Sequence, residues 1–176
     1  ESGVAVCAAA RNVFRQTGEL LNDAGVGWEH VVRTWWYLGE ITSIEGGQQR
    51  YQEMNRARSD CFAGLHFGSG HLCVPRHQAS YPASTGIGAG RSSSLSLATL
   101  ALQTARSDVR LLPLENPLQT PAYDYAACYS PKSPKFSRAM ALVTPEYVTT
   151  WISGTASIIH SEVVYPGSVI AQTEQT

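Results

Sequence analysis

His66, His71 and His77 sit close together with Cys73 among them, and imidazole and thiolate are the groups that zinc prefers. Their spacings match no standard zinc pattern, so the sequence predicts ordinary loop residues rather than a metal site. The glycine-rich TGIGAG invites a phosphate cradle, but no Lys-Ser/Thr follows it and no helix opens after it. Glycines that let neighbouring elements pack closely explain it better. Tyr123 and Tyr125, in PAYDYAACY, pair an apolar ring with a hydroxyl that can bond a ligand, or they pack on one face of a strand. Cys7, Cys61, Cys73 and Cys128 form no C-x-x-C pair, and are expected to be reduced and mostly buried.

The elements that must position these residues can be read from periodicity. From Val6 to Ala24 apolar residues recur at Ala9, Val13, Leu20 and Leu21, which predicts a helix stopped by Gly25. Val31 to Leu38 is β-branched and aromatic and predicts a buried strand. The segment GGQQRYQEMNRARSDCFAGL predicts a second helix with Tyr51, Met54, Ala57 and Cys61 on one face. A loop should run from Gly64 to Pro82. Strands are then expected at LSLATLAL, Val109 to Leu114, Phe136 to Val143 and Tyr147 to Ile159, before a helix start at AQTEQT.

Composition narrows the partners. The 176 residues hold 13 basic and 14 acidic side chains, a formal charge of -1, so no positive field is available to hold a nucleic acid. No apolar run approaches the roughly 20 residues that span a bilayer, and the first residues lack the marks of a secretory signal. A soluble, cytoplasmic protein without nucleic-acid or membrane partners is expected.

Whole phrases carry a family resemblance. RNVFRQTGELLNDAGVGWEHVVRTWWYLGEI, RYQEMNRARSDCF and YPASTGIG resemble the middle and end of a RidA/YjgF module, while WISGTASI and PGSVIAQTEQT resemble the start of another. A short echo, Arg15-Gln16-Thr17 against Ala171-Gln172-Thr173, agrees but is too brief to argue from. Within that superfamily the chain is most similar to the chorismatases, through YPASTGIGAG, LENPLQTPAYDY, YSPKSPKFSRAM and ISGTASI followed by PG and AQTE. The resemblance implies an α+β fold, RidA/YjgF-like (chorismate mutase-like), with a mixed sheet, two long helices packed on one face, and part of a second such module. Residues 1–104 would be the latter part of the first module and 105–176 the beginning of the second. It also implies a hydrolase or lyase acting on the enolpyruvyl ether of chorismate or a related small carboxylate, with no cofactor, in a trimer or pseudo-trimer.

The resemblance assigns roles by position. Glu162 would protonate the methylene carbon of the enolpyruvyl ether, a task that needs a carboxylic acid protonated often enough to act. Partial burial beside WISGTASII would favour that form. Around it the chain departs from the family pattern, with His160 and Ser161 where Gly-His is usual and Tyr165 where a second histidine is common. Arg138 would grip a substrate carboxylate through two parallel hydrogen bonds, with Lys132 and Lys135 adding positive charge nearby. Tyr123 and Tyr125 would line the pocket, and Thr155 would stand where the family distinguishes product types. The alternative is the imine/enamine deaminase activity of single-module RidA proteins. Against it, Ser84 stands where those enzymes carry an arginine, and LSLATLAL has no acidic residue. A non-catalytic small-ligand-binding role is the third class.

Overall fold

The computed structural model describes residues 5–68, 71, 80–91, 93–130 and 132–176. Helix α1 (Ala5–Asp23) ends in a glycine stop of the kind the sequence predicts. Gly25 takes φ 77, its N–H bonds Asn22 O and the Val26 N–H bonds Leu21 O, which is the Schellman arrangement. The buried stripe, however, is Val6, Cys7, Ala10, Phe14 and Leu21, offset from the expected one, and Leu20 is exposed. Phe14 sets that rotation: its ring lies 5.3 Å from Trp28, 4.9 Å from Trp36 and 5.4 Å from Phe62. A large aromatic surface outweighs the smaller alternatives in choosing the inward face.

A short 3-10 turn, Trp28–His30, leads into β1 (Val31–Leu38), as expected. A small hairpin, β2 (Ile44–Glu45) and β3 (Gln48–Gln49), precedes α2 (Arg50–Cys61). Met54 and Ala57 of α2 are buried with Trp36, Leu38 and the α1 stripe, while Tyr51 and Cys61 flank that core. Strand β4 (Ala83–Gly88) pairs with β1 in parallel, and β5 (Leu95–Ala101) pairs with it antiparallel. The sheet order is therefore β4-β1-β5, with α1 and α2 packed against one face. TGIGAG lies largely in β4, and a methyl on Gly86 would come within 2.8 Å of the Tyr51 ring. Close packing against α2, not phosphate binding, is what that glycine serves.

A second sheet follows, ordered β6-β7-β8 and wholly antiparallel, from β6 (Arg110–Leu114), β7 (Ala139–Val143) and β8 (Val148–Ile152). Beyond it β9 (Ile158–Ile159) pairs with β10 (Glu162–Val163), and α3 (Val169–Gln175) closes the order with Ser168 capping the Ala171 N–H. The strands expected over Phe136–Val143 and Tyr147–Ile159 are thus both shorter than their β-favourable runs. One physical cause accounts for both. Ser137 forms a parallel bridge with Ala83 and its N–H bonds Pro82 O, while Gly154 N–H bonds Ser84 O, so these backbones leave the second sheet to pair with the start of β4. The Ser153 hydroxyl completes the seam: it accepts from Ser84 N at 2.7 Å and donates to Ser137 O at 2.6 Å.

Cys7 is buried, Cys61 half-buried and Cys128 exposed, all three free, so the expected burial of the thiols holds only in part. Cys73 and His77 lie outside the described residues, and no helix among those described is long and apolar enough to cross a membrane.

Candidate active site around Arg138

Arg138 sits at the entrance of β7, with 8% of its surface exposed. Its Nη2 donates to Thr120 O at 3.1 Å and to the Tyr125 hydroxyl at 2.6 Å, and the guanidinium also lies 5.7 Å from the Tyr125 ring and 5.5 Å from the Phe136 ring. Its Nε is enclosed and has no hydrogen-bond partner. Burying a guanidinium with a donor unused is costly unless a ligand completes it, and enclosed polar groups without partners are rare enough to need an explanation.

Glu162 lies in β10 and is exposed, not partly buried as expected from its apolar neighbours. The two-residue β9-β10 ladder is a sheet of its own, separate from the three-stranded ones. Tyr129 holds its carboxylate in a short hydrogen bond to Oε1, and that bond is the first cause raising the tyrosine's own pKa. Tyr129 and Tyr125 rings are 6.3 Å apart, so a continuous run of contacts joins Arg138, Tyr125, Tyr129 and Glu162. A second route passes through Thr120, whose carbonyl takes the Arg138 Nη2 and whose hydroxyl accepts from Ser161 Oγ at 2.9 Å. The two residues singled out from sequence therefore belong to one neighbourhood.

Thr155 is held near the same segment by Gln119. That buried amide reaches Thr155 Oγ1 at 3.3 Å and Ile158 O at 3.1 Å, while Gln119 and His160 form a parallel bridge. Tyr123 belongs elsewhere. It lies in a 3-10 turn, Ala122–Asp124, rather than on a strand, and its ring packs 5.5 Å from Tyr81, at the end of the aromatic core running through Phe62 and Phe67. Lys135 joins that group, 3.3 Å from Tyr123 O and 5.7 Å from the Tyr81 ring, and burial lowers its pKa. Lys132 instead pairs with Asp60 on the surface, so neither lysine is placed beside the Arg138 guanidinium by these contacts. A depression of about 360 Å³ at the end of α1, walled by Trp28, Glu29 and His30, contains none of these residues.

Sequence reasoning did not single out Tyr129, Thr120 or Glu115. Glu115 follows β6 directly, and its Oε1 accepts the Arg138 backbone N–H at 3.4 Å while Oε2 is enclosed without a partner. Burial raises its pKa, against the opposing pull of the Arg138 N–H and charge and of the Ser137 hydroxyl. Its signal in the sequence was an acidic residue ending an apolar strand, which is too common to stand out.

Comparison with known proteins covers nearly the whole chain. Residues 1–101 match the sequence model of a family described as chorismatase FkbO/Hyg5-like, N-terminal. A 3-hydroxybenzoate synthase from Streptomyces hygroscopicus is 30% identical over 173 residues, covering 93% of this chain and 45% of that protein. A chorismatase from the same organism is 33% identical over 173 residues, covering 97% of this chain and 44% of its own length. A chorismatase crystal structure matches with a TM-score of 0.73 at 28% identity, over 99% of this chain and 47% of that one. The chain spans under half the length of the curated relatives it matches.

Proposed function

This chain belongs to the chorismatase FkbO/Hyg5-like family, and from that premise we propose that it acts on the enolpyruvyl ether of chorismate or a close relative and releases pyruvate. The observation that carries the proposal is the buried Arg138 guanidinium, with one donor unused, joined through Tyr125 and Tyr129 to Glu162. In this reading a substrate carboxylate docks on Arg138, and Tyr125 and Thr120 hold the guanidinium in a fixed plane. Glu162 gives its proton to the terminal methylene carbon, so a C–H bond forms as the vinyl π bond is consumed. The cation left on the ether carbon is captured by water, and the hemiketal collapses to pyruvate and the ring alcohol. Tyr129 fixes the carboxyl that donates, and Thr155, held by Gln119, shapes the adjoining wall.

A RidA-type arrangement follows the same premise. Residues 1–104 form the latter part of one module and 105–176 the beginning of a second. This division is supported by a three-stranded sheet in each part, with the two sheets meeting along a seam at Ala83, Ser137 and Ser153. Such modules close as a trimer or pseudo-trimer, which sizing by light scattering tests directly.

The deciding experiment is turnover of chorismate by the purified protein, with pyruvate measured by a coupled dehydrogenase. Glu162→Gln is expected to lower the rate by roughly 10²- to 10⁴-fold, the usual worth of a general acid. An unchanged rate removes Glu162 from the mechanism, and hydrolysis of 2-iminopropionate with no turnover of chorismate favours the deaminase reading instead.

A further inference from the structure

Three enclosed polar atoms without partners gather at one point of the second sheet: Glu115 Oε2, Ser137 Oγ and Arg138 Nε. The register explains why they meet. Leu114 pairs with Ala139 across β6 and β7, so the next step of the ladder brings Glu115 opposite Arg138. There the backbone ladder gives way to a side chain, since the Glu115 carboxyl takes the Arg138 N–H. Glu115 is thus built into the support of the guanidinium, and the Ser137 hydroxyl is the other polar group acting on its carboxyl.

We propose that Glu115 is a positioning residue that makes anion capture at Arg138 depend on protonation: neutral, it leaves the guanidinium's charge to an incoming carboxylate, and ionised, it weakens that carboxylate's binding. The inference rests on the reading of Arg138 as a carboxylate anchor. The charge argument is direct. A negative charge on Glu115, whose carboxyl already takes the Arg138 N–H and acts on its charge, opposes a second carboxylate on that arginine, on the order of tenfold even with generous screening. The charged groups that act on Glu115 are Arg138, which favours its ionised form, and Asp124, which opposes it. Desolvation outweighs both and moves its titration upward from the ordinary glutamate value.

Chorismate serves as the probe, with its affinity measured by calorimetry from about pH 4 to about pH 7.5 at constant ionic strength, in a Glu162→Gln background so that the ligand is not turned over. With the wild-type residue at position 115, binding should be on the order of tenfold weaker at the alkaline end. Glu115→Gln should bind with nearly constant affinity, close to that of wild type at the acid end. A wild-type affinity that does not change with pH, or a Glu115→Gln variant that retains the full wild-type dependence, overturns the proposal. Arg138→Met tests the anchor separately: undiminished affinity in that variant sinks the carboxylate-anchor reading itself, whatever the glutamine variant does. If the glutamine substitution prevents folding, carboxyl NMR of wild type decides. The Glu115 resonance should titrate above the ordinary glutamate range and move further upward on saturation with chorismate, because linkage is reciprocal. A resonance that ignores the ligand refutes the coupling.

Discussion

Replacing Asn55 with alanine should destabilise the fold more than removing the arginine that it serves. Arg58 is wholly enclosed in α2, and burial lowers its pKa. Nη2 donates to Asn55 Oδ1 at 2.6 Å, Nη1 donates to Ser84 Oγ at 3.0 Å, the guanidinium lies 5.4 Å from the Phe136 ring, and Nε has no hydrogen-bond partner. Asn55→Ala would strand a second donor of a buried cation, and a hydrogen bond to a charged group contributes about 1.5–3 kcal/mol, so a loss of about 2–3 kcal/mol is expected. Arg58→Met removes the charge together with its desolvation penalty. Ser84 Oγ still receives Thr34 Oγ1 at 2.9 Å, while the Asn55 amide and the Tyr51 hydroxyl lose a partner, for about 1–2 kcal/mol. The double variant Asn55→Leu, Arg58→Met replaces the network with apolar atoms of similar bulk and should lie within about 1 kcal/mol of wild type. Urea titrations of the variants read these differences from midpoints at common slope. Single and double losses that simply add, or an asparagine variant more stable than the methionine one, would refute the reasoning.

Two further outcomes follow from the seam and the site. Gly154→Ala places a methyl 2.8 Å from Thr85 Cγ2, a short branched side chain held by the Gly154 N–H and by Arg33, so about 1–3 kcal/mol of stability should be lost in the same urea assay. Tyr125→Phe deletes the acceptor 2.6 Å from Arg138 Nη2 but leaves Thr120 O in place; chorismate affinity by calorimetry should fall about tenfold, and an unaltered affinity would show that the tyrosine does not orient the guanidinium.

How far these features could be read from sequence depends on how local their causes are. α1, β1 and α2 are set by periodicity and by a glycine stop, and their positions agree closely with expectation. The inward face of α1 did not, because Phe14 finds Trp36 and Phe62 across the core, and no window of the sequence contains those partners. The strands containing Ser137 and Ser153 look continuous by composition, yet tertiary pairing with β4 interrupts both. β propensity describes a surface that fits a sheet and does not say which sheet.

The same distinction governs the site. Arg138 and Tyr125 are only 13 residues apart, and two neighbouring phrases, LENPLQTPAYDY and YSPKSPKFSRAM, were enough to suggest them. Tyr129 reaches Glu162 across 33 residues, and its carbonyl is held by Gln52 Nε2 across 77. That last bond ties the loop bearing Tyr129 to α2, so the helix of the first sheet helps to place a hydroxyl that meets a carboxylate of the second part of the chain. Motif phrases therefore pointed to Glu162 and Arg138, while the contacts that connect them join distant segments. A site assembled in this way should be sensitive to the seam between the sheets as well as to its own charged groups, because displacing the 115–138 segment against α2 separates the tyrosine from the glutamate without altering either residue.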